Sequence, residues 1–216
     1  MEQKNQIKKI SKKEKGKTRV MAVGDIHGDT GLVRRLAEKA EKENVDLVIL
    51  AGDLTQGGDI PPNLIGPFLK AKKQVLIISG NHEPRAVTNF LTELYEGTKN
   101  LHGYSLKKGN LGIFGVGGAD VGFDALEEKE FRSLLSKSHR YIADTEKKIM
   151  VTHLHPVGTK SEFSGIRGSE AIREAIEKFQ PDFAFNAHVH EAGGVYDKIG
   201  KTKVINVSRK EAIFDI

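Results

Sequence analysis

Arg19-Val20-Met21-Ala22-Val23-Gly24-Asp25-Ile26-His27-Gly28-Asp29 runs an apolar, β-branched segment straight into glycine and side chains that can hold a metal. Two later segments repeat the design: Leu47–Ala51 ends in Gly52-Asp53, and residues 75–79 end in Gly80-Asn81-His82-Glu83. Short Val/Ile/Leu runs stopped by glycine are the pattern of strands buried on both faces and feeding directly into loops. Helical segments lie between them. Residues 30–43 carry Leu32, Val33, Leu36, Ala37 and Ala40 with charges at the other positions, residues 61–72 open on prolines suited to a first helical turn, and residues 84–95 are again helical. This β-α-β-α-β order predicts an α/β fold, a sheet with parallel neighbours and helices packed outside it.

After Gly97 the texture changes. Residues 101–106 and Leu111–Val116 read as shorter strands joined by a turn at 107–110, the beginning of a second sheet. A helix is expected over 125–137, a strand over 149–152, a helix over 169–179 and a strand over 183–187. The chain ends in strands 194–198, 202–207 and 211–215, with Gly200-Lys201 turning the first into the second. The last strand is either covered or free to pair across a dimer. There is no internal repeat.

With 216 residues and 38% hydrophobic content the chain can bury one sizeable core, and nothing in its middle reads as a linker. The expected organisation is a basic, disordered leader over residues 1–18 and a single domain over 19–216. The net charge of +5 and the pI near 9.2 suggest a polyanion partner, but the charge sits in the leader. Residues 1–19 hold eight basic side chains against Glu2 and Glu14, a net +6, whereas the rest of the chain has 26 basic and 27 acidic residues, a net −1. A Lys-rich run of this kind is either a solvated leader or an aid to nucleic-acid binding. There is no cysteine, which excludes disulfides and thiolate ligands and suits a reducing compartment. No apolar run matches a signal peptide or approaches the roughly 20 residues that span a bilayer, so a soluble, cytoplasmic protein without membrane contact is expected.

The motifs make chemical sense together. In α/β sheets the functional loops gather beyond the carboxyl ends of the strands, and Asp25, Asp53 and Asn81 follow three such strands closely. His153 and the pair His188 and His190 follow two more. A lone Asp-x-His or His-x-His is a weak signal, but five such segments in one chain point to a shared metal site. Carboxylate and amide oxygens mixed with imidazole nitrogens favour Mn, Fe, Zn or similar divalent ions over an all-oxygen Ca or Mg cage. Asp53 is the natural bridging ligand, since one carboxylate has two oxygens and can serve two ions.

The order D-x-H, G-D, G-N-H-E, a single H, then H-x-H, spanning residues 24–190, resembles the calcineurin-like metallophosphoesterase superfamily. The resemblance implies a four-layer α-β-β-α sandwich, two mixed β-sheets flanked by helices. It implies two divalent metal ions, manganese first with iron, zinc or nickel as substitutes. Asp25 and His27 would bind one ion with Asp53 and His190, and Asn81, His153 and His188 would bind the other with Asp53. It further implies a phosphoester hydrolase in which a hydroxide bridging the ions attacks phosphorus in line, with Asp53 and His82 as the catalytic residues and His82 the general acid. Glu83 would fix a neighbouring ligand or backbone group. Ala187 stands where the family has glycine before H-x-H, a source of strain if that backbone is left-handed.

Candidate substrate contacts are Asn81, Arg85, His155 and Arg167: the guanidinium forks match phosphate oxygens, and His155 follows His153 closely. His155 reads equally as loop packing, the two arginines as ordinary exposed side chains, and His102 and His139 as structural or surface residues. The opening resembles protein Ser/Thr phosphatases, yet the arginines those carry are absent from Gly52-Asp53-Leu54-Thr55-Gln56-Gly57 and from Ser79. Small, capless prokaryotic members acting on phosphodiesters or simple monoesters are the better match, with a small or nucleotide-like substrate. A nuclease aided by the leader and a non-catalytic metal-binding interaction module of the same fold are the alternatives.

Overall fold

The computed structural model describes residues 16–216. The leader expected over 1–18 lies outside the described residues except for Gly16, Lys17 and Thr18, and Thr18 already exchanges 3.0 Å backbone hydrogen bonds with Ile216. Among the described residues the chain forms a five-stranded sheet, a six-stranded sheet and five α-helices.

The first sheet contains β1 (Arg19–Val23), β2 (Leu47–Ala51), β3 (Gln74–Ile78), β4 (Thr98–Asn100) and β11 (Ala212–Asp215), in the order β11-β1-β2-β3-β4. Its strands are parallel except β11, which runs antiparallel to β1 in the register Arg19↔Asp215. The second contains β5 (Ser105–Lys108), β6 (Leu111–Val116), β7 (Lys147–Thr152), β8 (Phe183–Asn186), β9 (Tyr196–Ile199) and β10 (Thr202–Asn206), in the order β5-β6-β7-β8-β10-β9. Its four central strands are parallel and its two edges antiparallel.

The alternation of side chains across each strand builds the layers. Val20, Ala22, Leu47, Ile49, Leu76 and Ile78 point inward and meet Ile113, Ile149, Val151 and Phe185 of the second sheet. Met21, Val23, Val48, Leu50, Val75 and Ile77 point outward onto α1 (Thr30–Lys42), α2 (Gly66–Lys70) and α3 (Arg85–Leu94). On the far side Phe114, Met150 and Ala184 pack under α4 (Glu128–Arg140) and α5 (Glu170–Phe179). The result is the expected four-layer α-β-β-α sandwich, with each fully buried Val, Leu or Ile contributing about 1.5–3 kcal/mol. No helix among the described residues is long and apolar enough to cross a membrane.

Three local expectations change. The helix read over 61–72 shrinks to Gly66–Lys70, because Asn63 takes a left-handed φ of 65° that no helix accommodates. The strand read over 101–106 begins only at Ser105, after Gly103, whose φ is 73°, and the unforeseen strand β4 just before it joins the first sheet. The helix read over 125–137 starts at Glu128, where the Glu127 amide donates to Glu130 (2.8 Å) and fixes the entry. The final strand completes the first sheet through β1.

Candidate metal centre

The loops after β1, β2, β3, β7 and β8 all leave the same edge of the sandwich, and close backbone contact there depends on small residues. Gly52 and Gly80 lie against one another: a Cβ on Gly80 would stand 1.9 Å from Asp53 Oδ1, and one on Gly52, whose φ is 90°, would stand 2.5 Å from His153 Nδ1. Asp25, His27, Asp53 and His188 all have left-handed backbones, with φ of 53°, 46°, 50° and 71°. Such residues cost of order 1–3 kcal/mol each and collect at functional loops. Ala187 is not among them, so its side chain brings no such strain; it packs against Gly24 instead, where a second Cβ would come within 2.6 Å. Asp29, the second aspartate of the opening motif, caps α1 by accepting the Leu32 amide (2.8 Å).

These loops bring Asp25, His27, Asp53, Asn81, His82, His153, His188 and His190 together. Ligand atoms of Asp25, His27 and His190 lie within 4.8 Å of one another, and so do those of Asp25, Asp53 and His153. His27 Nε2 stands 3.0 Å from His190 Nε2 and 3.6 Å from Asp53 Oδ2. On the other side Asn81 Oδ1 lies 3.0 Å from His153 Nε2 and 2.8 Å from His188 Nδ1, with His153 Nε2 3.4 Å from Asp53 Oδ2. Asp53 Oδ1 accepts the His82 amide (2.9 Å), so a single oxygen, Oδ2, faces both groups.

The protonation pattern tests whether cations fit. His153 Nδ1 faces the Ala51 carbonyl at 2.9 Å, which assigns the proton to Nδ1 and leaves a lone pair on Nε2 aimed at the Asn81 and Asp53 oxygens. His27 Nδ1 faces Gln56 Oε1 at 2.9 Å, which turns the His27 Nε2 lone pair toward His190 Nε2. Asp25 Oδ1 is buried and accepts no hydrogen bond. Lone pairs converging on lone pairs repel unless a positive charge lies among them. Without a metal that charge is a proton: burial works against it at His153, but Asp53 and Asp25 raise this imidazole to a pKa of about 9. Burial likewise opposes the charge on Asp53, and His153 outweighs it, holding the carboxyl below the usual range. The Asp25 carboxylate, its Oδ1 3.4 Å from His190 Nε2, raises His190, whereas burial lowers His27 and, with His153 beside it, takes His188 down to about 4. Two divalent ions fit this donor set.

Two supporting residues complete the site. Glu83 is fully buried, and its carboxyl accepts the Thr55 amide (3.0 Å) and the Gly80 amide (2.8 Å), clamping the β2 and β3 loops together. Burial pushes it up to about 7 against the pull of those two amides. Gln56, which the motifs did not single out, reaches from His27 to His82: its Nε2 lies 3.1 Å from His82 Nδ1. His82 is thereby left with its proton on Nε2, 4.0 Å from Asp53 Oδ2, on a side chain 41% exposed.

The other candidates make their contacts outside the cluster. Arg167 pairs with Glu170 (2.8 Å) and is 75% exposed. Arg85 approaches Asp124 and His102. His155 is buried beneath the 160–168 segment, its Nε2 3.2 Å from the Ile166 carbonyl, so loop packing is the contact observed. His139 stacks on Phe179 at 4.0 Å, a structural histidine.

Comparison with known proteins agrees with this fold. The chain is similar in structure to TT1561 of Thermus thermophilus, with a TM-score of 0.72 and 16% identity over 92% of this chain and 99% of that one. A dimetal phosphatase from Danio rerio gives a TM-score of 0.60 at 13% identity over 88% of this chain and 86% of that one. An archaeal phosphodiesterase gives 0.53 at 15% identity over 92% and 100%. At these identities the likeness is one of fold. A search of curated proteins finds no match. The sequence profile of calcineurin-like phosphoesterases, by contrast, matches residues 18–192. The chain belongs to the calcineurin-like phosphoesterase family.

Proposed function

We propose that this protein hydrolyses phosphodiesters, or simple phosphomonoesters, of small or nucleotide-like molecules with two divalent cations, manganese first. The observation that carries this reading is the pair of converging donor groups sharing Asp53 Oδ2. Asp25, His27 and His190 would hold one cation with Asp53, and Asn81, His153 and His188 the other. When bound, the cations supply the Lewis acidity that polarises phosphoryl oxygens and makes water a nucleophile at neutral pH.

The chain's own residues supply the rest. His82 presents an Nε2–H at the exposed side of the cluster, suited to protonate a departing alkoxide. Gln56 holds the tautomers of His82 and His27 in opposite senses, one as a proton donor and one as a lone-pair donor. Glu83 fixes the distance between the loops that carry Asp53 and Asn81. Among the described residues no separate lid covers this edge, which suits loose selectivity.

The test is hydrolysis of bis-p-nitrophenyl phosphate and p-nitrophenyl phosphate after chelation and reloading with Mn, Ni, Zn or Mg, beside Asp53→Asn. Metal-dependent cleavage abolished by the substitution is expected, and the preferred substrate assigns diesterase or monoesterase. Turnover retained in Asp53→Asn, or none with any metal, would refute the reading.

A further inference from the structure

A cavity of about 340 Å³ opens between α3, β4, the turn before β5 and α4, lined among others by Arg85, Asn89, Asn100, His102, Tyr104 and Lys137. It shares no residue with the metal-ligand cluster. Its polar groups are almost all donors. The Gly117 amide donates to His102 Nδ1 (3.2 Å), so the ring proton sits on Nε2, and that N–H meets Arg85 Nη1 at 3.4 Å. A guanidinium has no acceptor, so the two groups converge without bonding one another. Asn100 accepts the His102 amide (2.9 Å) and donates to Asn89 Oδ1 (2.8 Å), which leaves Asn89 its own NH₂ to offer.

The charge has the same sense. The Lys137 ammonium rests 5.5 Å over the Tyr104 ring and has no carboxylate partner among the described residues. No carboxylate among the described residues lines the cavity. Asp124 touches Arg85 from its other side, accepting the Arg85 amide (2.6 Å) and standing 3.4 Å from Nη2, so it offsets one of two positive charges. Burial, then Arg85, lowers His102 to about 4, which keeps its ring neutral and the Nε2 donor in place at neutral pH.

We propose that this cavity is a second anion site that binds a phosphate group through Arg85, the His102 Nε2–H, Asn89 and Lys137. A phosphate presents acceptor oxygens in several directions, which donors approaching from α3, the β4–β5 turn and α4 require, and the guanidinium fork matches two of them. The volume also admits the molecule that carries the group. That group comes from a substrate with a second phosphate or from free inorganic phosphate; the recognition chemistry is the same.

The site stands independently of the phosphoesterase reading, and one titration separates them. Inorganic phosphate is added to the full-length, zinc-loaded protein while the His102 ring and Arg85 guanidinium resonances are followed, and the titration is repeated on Asp53→Asn, Arg85→Gln and Lys137→Gln. Saturable shifts at His102 in both the native protein and Asp53→Asn are expected, with affinity falling about ten-fold in Arg85→Gln and several-fold in Lys137→Gln. Shifts confined to the metal-site histidines, or affinity unchanged in both substituted proteins, would overturn the proposal. The source then follows from kinetics. If the KM advantage of a bisphosphate over p-nitrophenyl phosphate shrinks in Lys137→Gln, the group is the substrate's own; if that ratio holds while the titration weakens, it is free phosphate.

Discussion

Replacing Gln56 by leucine isolates the side chain that joins His27 to His82. It removes a 2.9 Å contact to His27 Nδ1 and a 3.1 Å contact to His82 Nδ1, and because Gln56 is exposed the fold should lose no more than about 0.5 kcal/mol. Each lost hydrogen bond is worth about 1 kcal/mol, close to a factor of five. Through His82 this lowers turnover about five-fold on an ester whose leaving group needs a proton, such as phenyl phosphate, and leaves p-nitrophenyl phosphate almost untouched. Through His27, whose outer partner orients a ligand, it weakens metal binding about 10- to 100-fold. The assay is kcat at saturating metal on the two esters, with a metal titration beside it. In a His82→Ala background, itself down about 10²–10⁴-fold on phenyl phosphate, Gln56→Leu should cause no further loss in kcat. Equal losses on both esters, additive losses in the double variant, or unchanged metal affinity would refute the tautomer argument.

Other perturbations read the scaffold. Glu83→Ala strips two buried amides, Thr55 and Gly80, of their acceptor and should cost about 2–5 kcal/mol in urea unfolding of the metal-free protein; a loss under about 1 kcal/mol would show that water replaces the carboxyl. Asp215→Ala leaves Arg19, 3% exposed and held at 2.6 and 2.7 Å by this carboxylate, with less compensation, and should destabilise by about 3 kcal/mol, less than a full orphan because Asp46 and Glu43 also attract it. His102 charges more readily unfolded, near its ordinary 6.5, than folded, near 4, so the unfolded chain binds more protons in that window. Its contribution is therefore intact above 6.5 and lost on acidification toward 4, on the order of 3 kcal/mol in all, and His102→Asn should flatten that part of the pH–stability curve.

The inner strands were legible because Val, Ile and Leu fill both faces of β1, β2 and β3, a pattern only double burial explains. β4 was not, since Thr98-Lys99-Asn100 has no apolar periodicity and becomes a strand only by pairing with β3. Among the site residues, Asp25, His27, Asp53, Asn81 and the later histidines were legible because ligand-type side chains recur at strand ends. Gln56 was silent: a glutamine in a loop carries no pattern, and its partners His27 and His82 lie 29 and 26 residues away. The cavity at Arg85 and His102 was equally silent, because its donors come from α3, the β4–β5 turn and α4 and acquire their sense only through hydrogen bonds that tertiary contact sets.

The left-handed backbones at Asp25, His27, Asp53 and His188 restrict how this centre can be altered. Asp, Asn and His are the non-glycine residues that visit this region most readily, and they are also ligands for borderline divalent ions. Turn geometry and coordination therefore draw on one short alphabet. Glu, Gln or Cys at those four positions would be penalised by the backbone whatever their affinity for an ion. A change of metal preference, toward a softer ion for example, must be engineered at Asn81, His153 and His190, whose φ is ordinary. Four of the seven proposed ligand positions are closed to most of the coordination chemist's choices, and three are open.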